Sequence, residues 1–259
     1  LGFGVFLVPP GETKASVAEA LRVGYRHVDT ARIYDNEREV GEAIAESGVP
    51  RDELFVTTKV WNADQGRDAT LAALDASLAR LGLDTLDLYL IHWPTPARDR
   101  YVDTFRALVE LRDSGRVRSV GVSNFQVPHL QRVIDETGVV PAVNQVELHP
   151  NLTQEPLRAF HAEHGIATEA WSPLARGGLL EDPVVGKIAA AHGRTPAQVI
   201  LRWHLQLGNI VIPKSVTPSR IAENLDVFGF ALSDDDVAAL SAVDTGSRIG
   251  PDPDEFNGS

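Results

Sequence analysis

Gly24-Tyr25-Arg26-His27-Val28-Asp29-Thr30-Ala31-Arg32-Ile33-Tyr34 is the stretch on which the fold turns. It predicts a short strand over 26–29 that ends on a carboxylate and runs into a loop carrying a phenol. Two later strands also end on polar groups. Leu54-Phe55-Val56-Thr57-Thr58-Lys59 ends on an amine, and Leu86-Asp87-Leu88-Tyr89-Leu90-Ile91-His92 ends on an imidazole. In a closed barrel of parallel strands, such ends meet on one rim, where active sites are built. The pattern therefore predicts one cleft holding a carboxylate, a phenol, an amine and an imidazole.

Outward from this stretch, further apolar runs predict strands over 4–7, 117–122, 141–147, 166–171 and 210–213. Amphipathic segments separate them. Residues 101–113, for example, carry Val102, Phe105, Leu108 and Val109 at helical spacing. Thr13 and Ser233 read as helix caps, and the polar tail 251–259 reads as loose. Strands alternating with helices predict a parallel sheet under helical cover. Eight of them favour an α/β fold of the (α/β)8 TIM-barrel type over an open doubly wound sheet. No repeat or linker interrupts the pattern, so 1–259 reads as a single domain.

Composition narrows the function. The 259 residues carry a formal net charge of -12, which argues against nucleic acid or an anionic membrane as partner. There is no cysteine, so disulfides, zinc thiolates and a cysteine nucleophile are excluded. This fits a cytoplasmic location, as does the lack of a membrane-spanning run or signal peptide. The sequence opens at Leu1 without a methionine, which reads as a trimmed or processed start.

The rim residues support two readings when taken singly. Asp29 and Lys59 read as a structural ion pair. Alternatively, they form a buried pair beside Tyr34, whose phenol a nearby ammonium would make easier to ionise. Tyr34 alone reads as a rim aromatic, and His92 alone as a hydrogen-bonded structural histidine. A metal site at His92 and Asp29 is disfavoured, because Pro94 stands where a His-x-His pair needs its second ligand. No P-loop is present, and Leu7 breaks the glycine pattern begun by Gly2 and Gly4.

A dinucleotide would need other parts, and Ile212-Pro213-Lys214-Ser215-Val216-Thr217-Pro218-Ser219-Arg220 offers some. It joins a strand end, a cation, hydroxyls, a helix N-terminus and an arginine, which suits a phosphate monoester. An ordinary capped helix with surface cations explains the stretch as well. Trp171 offers a flat face to a planar ring or packs as a core indole. Phe6, Trp61 and Trp93 could wall an apolar pocket on the same rim.

Together these segments resemble the aldo-keto reductases along essentially the whole chain, in their prokaryotic, diketogluconate-reducing branch. The resemblance rests on residues 24–31 through Glu37 and Gly41, on Thr57-Thr58-Lys59, on Ile91-His92-Trp93-Pro94, on Gly121-Val122-Ser123-Asn124-Phe125, on Asn144-Gln145, and on 212–215 through Arg220 and Asn224. It implies an NADPH-dependent carbonyl reductase in which Asp29, Tyr34, Lys59 and His92 are catalytic and Tyr34 is the general acid. It implies cofactor contacts from Gly4, Val5, Asp29, Ser123, Asn124 and Gln145, with Trp171 stacked on the nicotinamide. Ser172 and Leu174 would line the pyrophosphate, and Lys214, Ser215, Val216 and Arg220 would take the 2′-phosphate. Glu223 and Asn224 would sit near the adenine, and no metal takes part.

Phe6, Tyr34, Trp61, His92 and Trp93 would meet the substrate, a small aldehyde, dicarbonyl or keto sugar. The hairpin that usually closes the barrel floor in the family is missing from this sequence. Thr217 stands where some relatives carry an extra arginine. A monomer is expected. The alternative implied by the same resemblance is an NADPH-binding, redox-sensing regulatory barrel with little turnover.

Overall fold

The computed structural model describes residues 1–9 and 11–258. Among these residues eight strands run in chain order: β1 Phe3–Gly4, β2 His27–Asp29, β3 Phe55–Val60, β4 Leu86–Ile91, β5 Val117–Ser123, β6 Val143–Glu147, β7 Ala167–Trp171 and β8 Ile210–Val211. Each is parallel to the next. The ring closes through the backbone, where Gly2 N–H donates to Val211 O at 2.7 Å and Gly4 N–H to Pro213 O at 3.1 Å. Gly4 has to be glycine for this approach, since a Cβ there would lie 2.8 Å from Ile212 O.

Helices α1 Thr13–Val23, α2 Glu37–Glu46, α3 Arg67–Leu81, α4 Tyr101–Asp113, α5 Val127–Thr137 and α6 Glu155–His164 cover the first part of the ring. Helices α7 Pro183–His192, α8 Pro196–Gln206, α9 Pro218–Leu225 and α10 Asp234–Ser241 complete the cover. The expected strands and helices are found, with no end shifted by more than three residues. The first strand moves most: the chain leaves the sheet after Gly4, and Leu7 turns it at φ 57°. Ser233 caps α10 as expected, accepting from Asp236 N–H at 3.1 Å. Thr13 does not cap; it is the fully buried first residue of α1.

Strand side chains alternate between the two faces of the sheet. One set, including Val28, Val56, Tyr89, Ile91, Val120 and Val122, packs outward under the helices in the main core. Inside the ring, Leu88, Leu90 and Val143 form a separate apolar plug with Phe55 and Ala167. Burying each such aliphatic side chain stabilises the fold by about 1.5–3 kcal/mol. The plug fills the interior short of the strand ends, so the polar residues at those ends sit above it.

One glycine fixes how closely two helices approach. A Cβ on Gly41 in α2 would overlap the backbone of Leu81, the last residue of α3. Gly41→Ala is expected to destabilise the fold by about 1–3 kcal/mol through overpacking. A urea titration checks this, with a lowered midpoint and an unchanged slope as the expected result.

The tail corrects an expectation. Phe256 packs on Trp93 with ring centroids 4.6 Å apart, and Asn62 Nδ2 donates to Gly258 O at 2.8 Å. An aromatic anchor and an amide clasp hold the polar segment across the barrel mouth.

Candidate active site

The β2–β3 register pairs Asp29 with Thr57. Lys59 lies two residues further along β3, on the inward face, and reaches back across the mouth. Its Nζ donates to Asp29 Oδ1 at 2.6 Å and to Thr30 O at 2.9 Å. Lys59 is 0% exposed, and a buried charge needs such partners. A 3-10 turn, Arg32–Tyr34, follows β2 and places the Tyr34 ring 5.1 Å from Lys59 Nζ. His92 continues from β4 and meets Tyr34 edge-on, with centroids 5.6 Å apart. Trp61 flanks His92 at 5.1 Å and Phe6 flanks Tyr34 at 5.0 Å. The four groups expected to converge do converge.

Their protonation differs from expectation in one respect. Burial holds the Tyr34 phenol above the usual tyrosine range, and the opposing pull of Lys59 does not cancel it. The sequence shows the ammonium next door but not the desolvation, which wins here. Burial works to neutralise Lys59, but Asp29 and Tyr34 outweigh it and raise its pKa, so Lys59 stays cationic. Burial, then Lys59, holds His92 well below the usual histidine range. At neutral pH the cluster is a phenol, an ammonium and a neutral imidazole.

The next wall comes from β5, β6 and β7. Ser123 pairs with Gln145, and Gln145 with Glu169, in the sheet register. Ser123 Oγ donates to Gln145 O at 2.7 Å. Asn124, held at φ 65°, donates from Nδ2 to His92 O at 2.9 Å and to Ser123 Oγ at 3.1 Å. Trp171 Nε1 donates to Asn124 Oδ1 at 2.8 Å, which fixes the plane of the indole. Gln145 Nε2 donates to Asp29 Oδ2 at 2.8 Å, tying this wall to the Asp29–Lys59 pair.

A C-terminal strap backs the indole. Glu147 Oε1 accepts from Ile249 N–H at 2.5 Å and from His149 Nε2 at 3.0 Å, and Glu147 Oε2 accepts from Gly250 N–H at 2.9 Å. A Cβ on Gly250 would lie 2.6 Å from the Trp171 ring. Sequence reasoning missed this strap, because its anchor lies about a hundred residues away.

One cavity of about 930 Å³ runs from Tyr34 and His92 past this wall to the end of β8. Gly4, Phe6, Asp29, Trp61 and Trp93 line it at the near end, and Ser123, Asn124, Gln145 and Trp171 along the wall. Ser172, Leu174, Lys214, Ser215, Arg220, Glu223 and Asn224 line the far end. Lys59, Val5 and Val216 do not reach it. Lys59 acts from behind the surface. Val5 is wholly buried, with its N–H given to Asp29 O, and Val216 points to solvent. Arg176 from the loop after β7 and Thr195 at the start of α8 also line the cavity. Thr195 binds Glu223 at 2.8 Å, a pairing that nothing in their local sequences announces.

The shape and donor set fit a dinucleotide. The volume lies near the upper end for small-molecule sites. Among the described residues, Lys214 and Arg220 pair with no acidic side chain, whereas ten of the twenty arginines do. Two free cations beside the N-terminus of α9 suit a phosphate.

Comparison with known proteins agrees with this geometry. The model of the family described as "Aldo/keto reductase family" matches residues 7–245. An aldo-keto reductase of Mycolicibacterium smegmatis is 62% identical over 257 residues, covering 99% of this chain and 94% of the relative. The methylglyoxal reductase DkgA of Escherichia coli is 52% identical, over 100% of this chain and 94% of that one. A crystal structure of a Gox0644 mutant in complex with NADPH superposes with a TM-score of 0.95 at 55% identity, covering 98% and 93% of the two chains.

Proposed function

Because this chain belongs to the aldo/keto reductase family, we propose that it is an NADPH-dependent reductase of small aldehydes and ketones, with Tyr34 supplying the proton. The observation that carries the reading is the single cavity joining Tyr34 and His92 at one end to Lys214 and Arg220 at the other. NADPH, when bound, supplies the hydride that the carbonyl carbon receives.

The chain's own groups handle the oxygen. As the carbonyl oxygen gains negative charge, Tyr34 Oη transfers its proton to it. The phenolate left behind is stabilised by the Lys59 ammonium, which Asp29 keeps charged and in place. The neutral His92 imidazole has one N–H, and carried on Nε2 it donates to the carbonyl oxygen and orients it. The raised pKa of Tyr34 keeps the proton available at neutral pH until that charge develops.

The same reading assigns the rest of the cavity. Ser123, Asn124 and Gln145 hold the nicotinamide carboxamide, and Trp171 stacks on the ring. Ser172 and Leu174 follow the pyrophosphate. Lys214, Ser215 and Arg220 take the 2′-phosphate, with Glu223 and Asn224 beside the adenine. Arg220→Ala is expected to weaken NADPH binding by about 10- to 100-fold, the loss of one charge-assisted contact. NADH binding, measured by fluorescence titration, should change little; equal losses for both would remove Arg220 from the phosphate site.

Substrate class follows from the apolar rim of Phe6, Trp61 and Trp93. It suits small aldehydes, dicarbonyls and keto sugars, and the relative named methylglyoxal reductase supports the dicarbonyl member. Steady-state kcat/KM with methylglyoxal, a nitrobenzaldehyde and a diketo sugar acid tests this. NADPH consumption with none of them would refute the assignment.

A further inference from the structure

Glu169 lies in the middle of β7, 1% exposed, and the reaction above does not use it. It is a costly residue to bury. Its Oε2 accepts one hydrogen bond, from Gln145 Nε2 at 3.0 Å, and its Oε1 has no hydrogen-bond partner among the described residues. The nearest basic side chain, His27, stands 3.7 Å from Oε1, and burial holds its pKa down to about 4, so it brings no charge. Burial raises the pKa of Glu169, and a buried carboxyl group with so few partners destabilises the fold, which asks what it does for the site.

The answer lies in the two protons of the Gln145 amide. Asp29 Oδ2 takes one at 2.8 Å and Glu169 Oε2 takes the other at 3.0 Å. Asp29 Oδ2 belongs to a carboxylate paired with the Lys59 ammonium and can only accept, so the Gln145 atom facing it is the nitrogen, whose second proton goes to Glu169 Oε2. Gln145 Oε1 accepts nothing among the described residues and is the atom left for a ligand in the cavity that Gln145 lines.

Its neighbours are committed in the same sense. Asn124 Nδ2 spends both protons on His92 O and Ser123 Oγ, and Ser123 Oγ spends its proton on Gln145 O. Ser123, Asn124 and Gln145 therefore offer lone pairs and no protons. Asp29 alone can occupy only one Gln145 proton. Without Glu169 the second N–H is free to turn toward the cavity.

We propose that Glu169 is a positioning residue that keeps Gln145 a pure acceptor, so that this wall selects a ligand ring bearing N–H donors over one bearing only a carbonyl. This rests on the reading that the nicotinamide end of the cofactor lies against Ser123, Asn124 and Gln145. The selection then favours a carboxamide over a ketone in the same place.

The test is equilibrium binding, read by quenching of tryptophan fluorescence, of NADP+ and of its 3-acetylpyridine analogue. The analogue replaces the amide NH2 by a methyl group without changing charge. Wild-type protein should bind NADP+ about tenfold more tightly than the analogue. Glu169→Met, similar in volume but without an acceptor, should narrow the ratio to about twofold. Glu169→Gln keeps a carbonyl that can accept the second Gln145 proton and should retain most of the ratio. A residue that only supports the fold would shift both affinities together. Thermal unfolding confirms that each variant is folded, and Glu169→Thr replaces the Met variant should that one fail to fold.

A ratio that stays near tenfold in the folded Met or Thr variant overturns the role of Glu169 and leaves the reductase reading intact. Failure of wild-type protein to bind NADP+ at all overturns the cofactor reading itself.

Discussion

Tyr34→Phe is expected to lower kcat with methylglyoxal by about 100- to 10,000-fold, the usual contribution of a positioned general acid. The substitution removes one oxygen. It keeps the ring that packs on Phe6 at 5.0 Å and on His92 at 5.6 Å. NADPH affinity should therefore change by no more than about twofold, because the contacts assigned to the cofactor lie along the rest of the cavity. A large loss of kcat with retained binding locates the defect in proton transfer. An unchanged kcat would mean that the proton comes from elsewhere, with water or His92 as the remaining donors in the cleft.

Lys59→Met should produce the second large effect, on two properties at once. It leaves Asp29 buried with its Gln145 contact but without its cation. Removing one partner of a buried pair costs about 3–5 kcal/mol, visible as a fall in the urea midpoint. Turnover should fall as well, since no ammonium remains to stabilise the Tyr34 phenolate. The double variant Lys59→Met with Asp29→Asn separates these effects. Neutralising both partners should restore most of the stability, whereas turnover should stay low. Recovery of turnover along with stability would reduce the pair to a structural role.

Much of this site was legible in the sequence, for a physical reason. Asp29, Lys59 and His92 each stand at or beside a strand end, and a closed parallel barrel brings such ends together whatever lies between them. Tyr34 follows its strand closely enough to share that placement. Trp171 and Ser123-Asn124 are marked in the same way. The rest depends on facts that local sequence does not carry. Glu169 stands inside a strand, and which face it takes is decided only when the ring closes. The closed ring was expected from the count of eight strands, but the two backbone hydrogen bonds that join the ends of β1 and β8 are not visible in the sequence. The strap on Glu147, the Thr195–Glu223 pair and the packing of Phe256 on Trp93 all join residues far apart in the chain. The sign of the Tyr34 shift was missed because a neighbouring charge is visible in sequence and burial is not.

The most direct measurement is isotopic. Wild-type protein is given methylglyoxal and NADPH carrying two deuterium atoms on the transferring carbon of the nicotinamide, and the alcohol product is examined by mass spectrometry. The account predicts one deuterium on the former carbonyl carbon of each product molecule, formed over many turnovers, with formation nearly abolished in Tyr34→Phe. Tight NADPH binding with no deuterated alcohol from any small carbonyl would contradict it and leave a barrel that senses the cofactor without turning it over.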